Sequence, residues 1–319
     1  VPTSLSALRC QPNLFNGDGD IRVWLHSKRE GGRGKDEIGD PPLIEDWSEI
    51  MGEKYHQVAT AYAKTRPSYP TEWFAQLAAL TPRRSVAWDV GTGSGQAAIK
   101  LVEFFEKVYA TDISDELLKH GRSHQRIQYI HTPLSLSEDE IVNLVGGENS
   151  VDLVTVATAV HWFDLEKFYS IVKRVLRKPE GIIAVWTYNV IQVNPDFDRI
   201  MLKFLNSAQR FIDRRAKYAF ENYETLPFPF ESVGLGREGK PAIKEIRDEI
   251  SFEALIRLLS TWSATIAAKE EGEDLLKENV VQELEKVWGD INVVRSVVYK
   301  TYMMAGKVRP IEEDEPTTS

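Results

Sequence analysis

The feature that most constrains the fold is a regular alternation of strand-like and helix-like segments between residues 85 and 188. The segments VDLVTVAT (151–158) and GIIAVWTY (181–188) are nearly all apolar, which is typical of strands covered on both faces. Strands joined by helical crossovers predict a parallel sheet with right-handed connections. The predicted strands are 85–90, 107–112, 126–131, 151–158 and 181–188, and the predicted helices between them are 96–106, 115–120, 137–145 and 164–177.

The alternation of strands and helices ends on both sides of residues 85–188. Residues 1–45 hold scattered apolar residues among Gly- and Pro-containing turns, and we expect a disordered extension there. Its arginines suit a transit peptide, whereas its acids argue against one. The tail 309–319 is acidic and expected to fray. Further predicted elements are helices at 48–64, from Thr71 onward, and at 200–211, 251–262 and 273–288, with strands at 240–250 and 293–303.

Charge and cysteine content narrow the function. The net charge is −9 and no Lys/Arg cluster stands out, which argues against a nucleic-acid binder and favours a small or cationic ligand. Cys10 is the only cysteine, so neither intramolecular disulfides nor thiolate metal clusters can form, as is typical of a reducing compartment. No apolar run approaches the ~20 residues that span a membrane. We therefore expect a cytoplasmic protein with a small-molecule partner.

The stretch AWDVGTGSGQAA (87–98) joins the first predicted strand to its helix. Glycines admit positive φ and remove the Cβ wall, so a ligand can touch the backbone, and the helix that follows points free N–H groups at the same place. Gln96 stands where a phosphate-binding loop needs Lys, and it also occupies the third position of a dinucleotide fingerprint. The loop therefore favours a ligand other than a pyrophosphate.

Two acids flank this loop. Asp89 ends the first strand, where a carboxylate suits an ammonium or sulfonium centre and repels a pyrophosphate. Asp112 ends the second strand and is placed to accept hydrogen bonds from ribose hydroxyls. A nucleoside with a positive centre satisfies both acids. S-adenosylmethionine has that character, and it is the expected cofactor.

Taken together, these motifs resemble those of class I S-adenosylmethionine-dependent methyltransferases. The resemblance rests on the glycine loop 91–95, Asp112 and VDLVTVATAVHWFD (151–164), and it spans roughly 51–306. YAKTRPSYP (62–70) and HWFD resemble the trans-aconitate-methyltransferase-like branch, with its plant and fungal relatives. The resemblance implies an α/β, Rossmann-like, seven-stranded, mostly parallel sheet with a reversed last strand, in a domain covering 46–308 whose segment 190–235 and N-terminal helices cover the substrate.

The resemblance also implies where the cofactor lies. The loop glycines contact its methionine part, and Asp112 holds its ribose. Many members carry an acid after the third strand, near the adenine amino group, whereas this chain has His131 and then Thr132 and Pro133, whose backbone groups would supply that contact. The assigned cofactor contacts are Arg66, Asp89, Gly91, Thr92, Gly93, Gly95, Asp112, Ile113, Thr132, Pro133 and Ala157.

Methyl transfer from a sulfonium is a direct displacement that needs alignment more than covalent help. A carboxylate acceptor is already ionised, whereas a hydroxyl or amine needs a base. His161 follows the fourth strand and is the candidate catalytic residue, by hydrogen bonding to cofactor or substrate or as a base. The alternative is that it packs the strand–helix corner. The candidate substrate residues are Tyr69, Trp162, Trp186, Tyr188 and Trp262. The alternative for Tyr69, as for Arg66, is a solvated turn after a helix; for Trp162 it is packing at the strand–helix corner, and for the other three it is a core role.

Three functions compete. The first is methyl transfer to a small molecule, expected at a carboxyl oxygen of an organic acid. The second is a nicotinamide-dependent oxidoreductase, against which Asp89 and Gln96 argue. The third is a protein of the same fold that binds the cofactor without turnover. No metal is expected, because His120 and His124 lack the intervening glutamate of a zinc helix and a third ligand.

Overall fold

Eight strands form one mixed sheet in the computed structural model, which describes residues 59–309. The order across the sheet is β3-β2-β1-β4-β5-β8-β6, and β7 also pairs with β8. The strands are β1 Val86–Val90, β2 Lys107–Asp112, β3 Ile127–His131, β4 Leu153–Ala157, β5 Ile182–Tyr188, β6 Glu231–Ser232, β7 Ala242–Ile250 and β8 Arg295–Lys307.

The pairing has the predicted mostly parallel character. β1 pairs in parallel with β2 and β4, β2 with β3, and β4 with β5, so these strands end at the same edge of the sheet. β8 runs antiparallel to β5, β6 and β7. The α/β class and the reversed last strand are therefore confirmed. The structure adds β6, a two-residue strand beyond the seven expected, and it extends β8 to Lys307 because the strand pairs with β5 on one side and with β6 and β7 on the other.

Helices lie before, between and after the strands. They are α1 Ala59–Thr65, α2 Thr71–Ala79, α3 Ala98–Leu101, α4 Asp115–Lys119, α5 Glu138–Leu144, α6 Leu165–Val175, α7 Pro195–Ala208, α8 Lys217–Phe220, α9 Phe252–Ser260, α10 Ser263–Glu270 and α11 Glu278–Trp288. Within residues 59–309, three 3₁₀ turns occur, at Val160–Trp162, Gln209–Phe211 and Arg214–Ala216.

Local sequence signals explain several helix boundaries. Ser137 and Glu140 form the predicted capping box of α5, and Asp164 caps α6 by accepting from the Lys167 backbone N–H. The prediction for the start of α2 needs correction. Thr71 is the first residue of α2 rather than its cap, and its hydroxyl instead accepts from Lys100 Nζ at 3.1 Å.

The helix predicted at 96–106 is only Ala98–Leu101, because the glycine turns occupy the chain up to Gln96 and a turn follows Leu101. A helix of four residues has little dipole of its own. The backbone N–H of its first residue, Ala98, hydrogen-bonds the buried Asp89 carboxylate and lowers the pKa of that group. The sequence periodicity did not predict helix α10.

Apolar side chains cover both faces of the sheet. One cluster contains Leu77, Phe105 and Trp186, and the other contains Val154, Val172 and Phe228. The central strands are buried on both faces, as their continuous apolar runs predict. None of the helices within 59–309 is long and apolar enough to cross a membrane.

Some predictions fall outside the described residues. These are the disordered extension 1–45 with Cys10, the part of the 48–64 helix before Ala59, and the acidic tail beyond residue 309. The predicted domain limits 46–308 stay a prediction. Within 190–235 the structure shows α7, two 3₁₀ turns, α8 and β6.

A buried carboxylate fixes the amino-terminal edge of the sheet. Asp152, which is 2% exposed, accepts from the backbone N–H groups of Ser85 and Val86, each at 2.9 Å. It also accepts from Arg177 Nε at 2.6 Å, and Arg177 Nη2 donates to the Ser150 carbonyl at 2.8 Å. One side chain thus ties the start of β1 to the segment after α6.

We predict that Asp152→Ala lowers the free energy of unfolding by about 3–5 kcal/mol, because it leaves two backbone donors and a guanidinium without their shared acceptor. The control is Asp139→Ala, whose ion pair with Arg174 is exposed on the acid's side and is worth under about 1 kcal/mol. Urea unfolding followed by circular dichroism measures both variants. Equal losses for the two would contradict the role of Asp152.

Candidate functional site

A cavity of about 440 Å³ opens at the carboxyl ends of β1–β4. Open parallel sheets bind ligands at this edge, and the volume lies in the range of small-molecule sites. The predicted residues that line it are Gly91, Gly93, Asp112, Ile113, Thr132, Pro133, Ala157 and Trp162. The structure therefore brings together residues from four strand ends.

The glycine loop forms one wall of this cavity. Gly91, Gly93 and Gly95 have φ of +63°, +57° and +79°, a region that side-chain-bearing residues rarely adopt. A Cβ at Gly91 would lie 2.7 Å from Ala159 Cβ, so the loop needs glycine there for space as well as conformation. Gly95 faces Tyr129 rather than the cavity.

Asp112 connects the loop to the second strand. Its Oδ2 accepts from the Gly93 N–H at 2.7 Å and its Oδ1 accepts from the Ser114 N–H at 2.9 Å. Burial raises the pKa of Asp112, while these backbone donors lower it. A carboxylate has about four acceptor sites, and the backbone N–H groups of Gly93, Ser114 and Ile113 all act on this one. Asp112 therefore retains capacity to accept a hydrogen bond from a hydroxyl group in the cavity.

Asp89 does not have the predicted orientation. Its carboxylate is 1% exposed and accepts from the Thr92 hydroxyl at 2.5 Å and from the Thr155 hydroxyl at 2.7 Å. Burial raises the pKa of Asp89 to about 6 against these hydrogen bonds, which lower it. Asp89 and Thr92 thus brace the loop from behind, away from the cavity lining.

The end of β3 lies on the opposite side of the cavity. The Thr132 N–H donates to the Asp112 carbonyl at 2.9 Å, and the Pro133 carbonyl accepts from the Leu136 N–H at 3.1 Å. The Thr132 N–H is thereby used, so the backbone acceptors left for a base are the Thr132 carbonyl and the second lone pair of the Pro133 carbonyl. His131 Nε2 lies 2.8 Å from the Ile113 carbonyl and fixes the segment.

His161 is buried beside the cavity and does not line it. It is 5% exposed, and its Nδ1 lies 2.9 Å from the Tyr223 hydroxyl. Burial lowers the pKa of His161 to about 3, and the nearby Arg215 charge lowers it further against the opposing effect of Asp213. The imidazole is therefore neutral near pH 7 and a very weak base.

Trp162 does line the cavity, and the structure places a cation over it. The Arg215 guanidinium lies 5.4 Å from the Trp162 ring centroid and is held by Asp213 through Nε at 3.1 Å and Nη2 at 3.0 Å. Lys167, at the start of α6, also lines the cavity. Sequence reasoning missed both cations. The position of Lys167 after HWFD could have identified it, whereas Arg215 is 53 residues beyond Trp162 and carries no motif.

The remaining aromatic candidates lie elsewhere. Trp186 is fully buried and packs edge-on against Tyr69, 5.3 Å between ring centroids. Tyr188 packs on Tyr299, and Trp262 packs on Phe204. None of the four predicted substrate residues among them lines the cavity described above. Tyr69 and Trp186 are buried, Tyr188 and Trp262 are partly buried, and the assignment of these four residues to the substrate stays a prediction.

Arg66 also lies outside that lining. Its guanidinium stacks 4.1 Å from the Tyr62 ring centroid, and its Nη2 donates to the Thr261 carbonyl at 3.1 Å. Tyr62 lines the cavity, so Arg66 supports a lining residue. The Arg66 charge lowers the pKa of Tyr188 against the burial that raises it to about 12. Within 59–309 no group of His, Cys, Asp and Glu could hold a metal ion.

Known proteins share both the sequence and the fold. A methyltransferase domain model matches residues 88–185. A protein of Dictyostelium discoideum named as a methyltransferase is 28% identical over 264 residues, 80% of this chain and 95% of that protein. A Saccharomyces cerevisiae protein named as an S-adenosylmethionine-dependent methyltransferase is 30% identical over 145 residues, which cover 43% of this chain and 46% of that protein.

A solved structure extends the likeness to the whole domain. A protein of Anaeromyxobacter dehalogenans named as a type II methyltransferase is 31% identical, with a TM-score of 0.65, over 77% of this chain and 99% of that one. This match removes the oxidoreductase alternative, and the expected cofactor agrees with it. The chain belongs to the family of S-adenosylmethionine-dependent methyltransferases.

Proposed function

We propose that this enzyme transfers a methyl group from S-adenosylmethionine to a carboxyl oxygen of a small organic acid. The observation that carries the choice of acceptor is the state of His161, the only candidate base that the sequence offered. Its pKa lies near 3, its Nδ1 meets Tyr223, and it is absent from the cavity lining. Such a base cannot take a proton from an alcohol or an ammonium group at neutral pH.

The other acids at the cavity do not replace it. Asp112 accepts from two backbone N–H groups, and Asp164 accepts from the Lys167 N–H as the cap of α6. Asp89, with a pKa near 6, is enclosed by two threonine hydroxyls. A carboxylate acceptor needs no proton removed, because it is ionised above about pH 5. The described residues therefore suit that acceptor best.

The cavity fits the cofactor. The glycine wall would hold the methionine part, since Gly91 and Gly93 let a ligand approach the backbone. Asp112 retains capacity to accept a hydrogen bond from a ribose hydroxyl, and Ile113 and Pro133 offer apolar surface to a purine. When bound there, S-adenosylmethionine supplies an electrophilic methyl group. What the protein adds is alignment and the exclusion of water.

The charges near Trp162 support an anionic acceptor. Arg215 lies over the Trp162 ring, and Lys167 lines the same cavity. These two cations would attract a carboxylate to this wall, although the net charge of the whole protein is −9. Arg66 and Tyr188, which lie outside the cavity lining, form a second group that would also favour binding of an acidic acceptor.

Two assignments complete the proposal. We place the chain in the trans-aconitate-methyltransferase-like branch, on the strength of YAKTRPSYP and HWFD. We also assign 46–308 as the catalytic domain, with 190–235 covering the acceptor, since Arg215 comes from that segment and lines the cavity. The cytoplasmic location stays part of the proposal and rests on the single cysteine.

We predict transfer to carboxylic acids with a kcat/KM that stays within about twofold from pH 7 to 9, because the nucleophile is ionised throughout and His161 titrates far below this range. The measurement is labelled-methyl transfer to a panel of organic acids, phenols and amines, with products identified by mass. Transfer confined to phenols or amines, with a rate that climbs with pH, would show that the acceptor is wrong.

We predict that Gly91→Ala weakens binding of S-adenosylhomocysteine at least tenfold, since its Cβ would clash with Ala159 at the cavity wall. The matched control is Gly147→Ala, which also has positive φ, +90°, but meets nothing within 4 Å and lies away from the cavity. Both changes cost about 1–2 kcal/mol of backbone strain. Calorimetry should separate them, and equal affinities would place the cofactor elsewhere.

A further inference from the structure

The segment 213–223, here called the cover segment, meets the cavity at one end and the protein interior at the other. Its 3₁₀ turn Arg214–Ala216 and α8 both contact the 3₁₀ turn Val160–Trp162 that follows β4. Arg215 lines the cavity. Tyr223, at the far end, is fully buried. The cover segment is thus held from within the core while it presents a cation to the cavity.

The inner attachment is a hydrogen bond between two buried side chains. The Tyr223 hydroxyl lies 2.9 Å from His161 Nδ1, and the two rings are 5.9 Å apart at their centroids. Burial raises the pKa of the Tyr223 hydroxyl well above its usual value, so it stays protonated and can donate. A buried hydrogen bond of this kind is costly to remove from one side only.

The backbone around Tyr223 is unusual. Asn222 and Tyr223 have φ of +58° and +60°, two consecutive residues in the left-handed region. Such conformations cost energy and persist only where the surroundings hold them. The Asn222 Oδ1 accepts from Asn189 Nδ2 at 2.9 Å, which ties this turn to the end of β5. The backbone at Asn222 and Tyr223 is therefore locally strained, and in this conformation the Tyr223 side chain contacts His161.

A continuous set of contacts leads from His161 to the cavity. The His161 ring lies 4.7 Å from the ring of its neighbour Trp162, which forms part of the cavity wall. The Arg215 guanidinium lies 5.4 Å from the Trp162 ring centroid, and Asp213 accepts from its Nε and Nη2. Moving His161 would therefore move an aromatic and a cationic part of the wall together.

The charges around His161 are consistent with this role. The groups that face it are Tyr223, Arg215 and Asp213. An imidazolium would be repelled by the Arg215 guanidinium and would have to be desolvated, so the neutral ring is favoured. A neutral imidazole can accept the hydroxyl hydrogen on Nδ1 and leave the proton on Nε2.

We propose that Tyr223 is a positioning residue, whose hydrogen bond to His161 fixes the Trp162–Arg215 wall against the bound cofactor. The proposal rests on the proposed function in one respect, namely that this cavity is the cofactor site. It gives His161 a role as the intermediate between a core tyrosine and the cavity wall, in place of a role as a base.

The test compares two tyrosines of the same apolar cluster. Tyr169 is also buried, and its hydroxyl donates to the Pro227 carbonyl at 2.7 Å without contacting His161. We expect Tyr223→Phe and Tyr169→Phe to lower the melting temperature by similar amounts. Only Tyr223→Phe should weaken S-adenosylhomocysteine binding, by about tenfold in calorimetry, whereas Tyr169→Phe should stay within twofold of the wild type.

Variants at His161 separate the hydrogen bond from the ring. His161→Asn keeps an acceptor near the position of Nδ1 and should retain affinity within about threefold. His161→Leu removes the acceptor and should weaken binding as much as Tyr223→Phe does. The double variant Tyr223→Phe with His161→Leu should then be no weaker than either single variant, because both remove the same interaction.

The outcomes distinguish the two levels of the proposal. If the wild type does not bind S-adenosylhomocysteine, the proposed function fails and this inference fails with it. If the wild type binds and Tyr223→Phe matches Tyr169→Phe in affinity, the inference alone is overturned. Additive losses in the double variant would also overturn it, since they would show that the two side chains act independently.

Discussion

The cavity depends on one carboxylate that joins two strand ends. Asp112 accepts from the Gly93 N–H and the Ser114 N–H, so the loop after β1 and the turn after β2 share a single anchor. The parallel pairing of β1 with β2 sets these two turns side by side, and the buried Asp89 holds the loop from the other direction. A flexible glycine loop thereby acquires a fixed shape before any ligand arrives, which lowers the entropic cost of binding.

Around this anchor the protein separates structural polar groups from binding ones. Asp89, Asp152 and His161 are buried and form hydrogen bonds with other side chains of the protein. The groups that line the cavity and can interact with a ligand there are Asp112 and the cations Lys167 and Arg215. For a displacement that needs alignment, such a division is sufficient, because the protein does not have to move protons during the reaction.

The sequence predicts those parts of the structure that arise from neighbours along the chain. Continuous apolar runs gave β4 and β5, the Ser137–Glu140 spacing gave the cap of α5, and the glycine loop with Asp112 located one side of the cavity. The features that the sequence could not predict depend on contacts between residues that are far apart in the chain. Arg215 and Tyr223 reach the 3₁₀ turn at 160–162 from more than 50 residues away, and nothing in their local pattern marks them. The same limit applies in part to Asp89, which is held by Thr92 nearby in the chain and also by Thr155, 66 residues later.

The position of β8 has a consequence for biosynthesis. This strand lies between β5 and β7, yet it comes last among the strands of residues 59–309, at Arg295–Lys307. While the ribosome is still making α11, the nascent polypeptide has β5 as an open, apolar sheet edge with no neighbour on that side. Such an edge invites pairing with other chains. The β5 edge is therefore covered only once β8 has been made, up to residue 307.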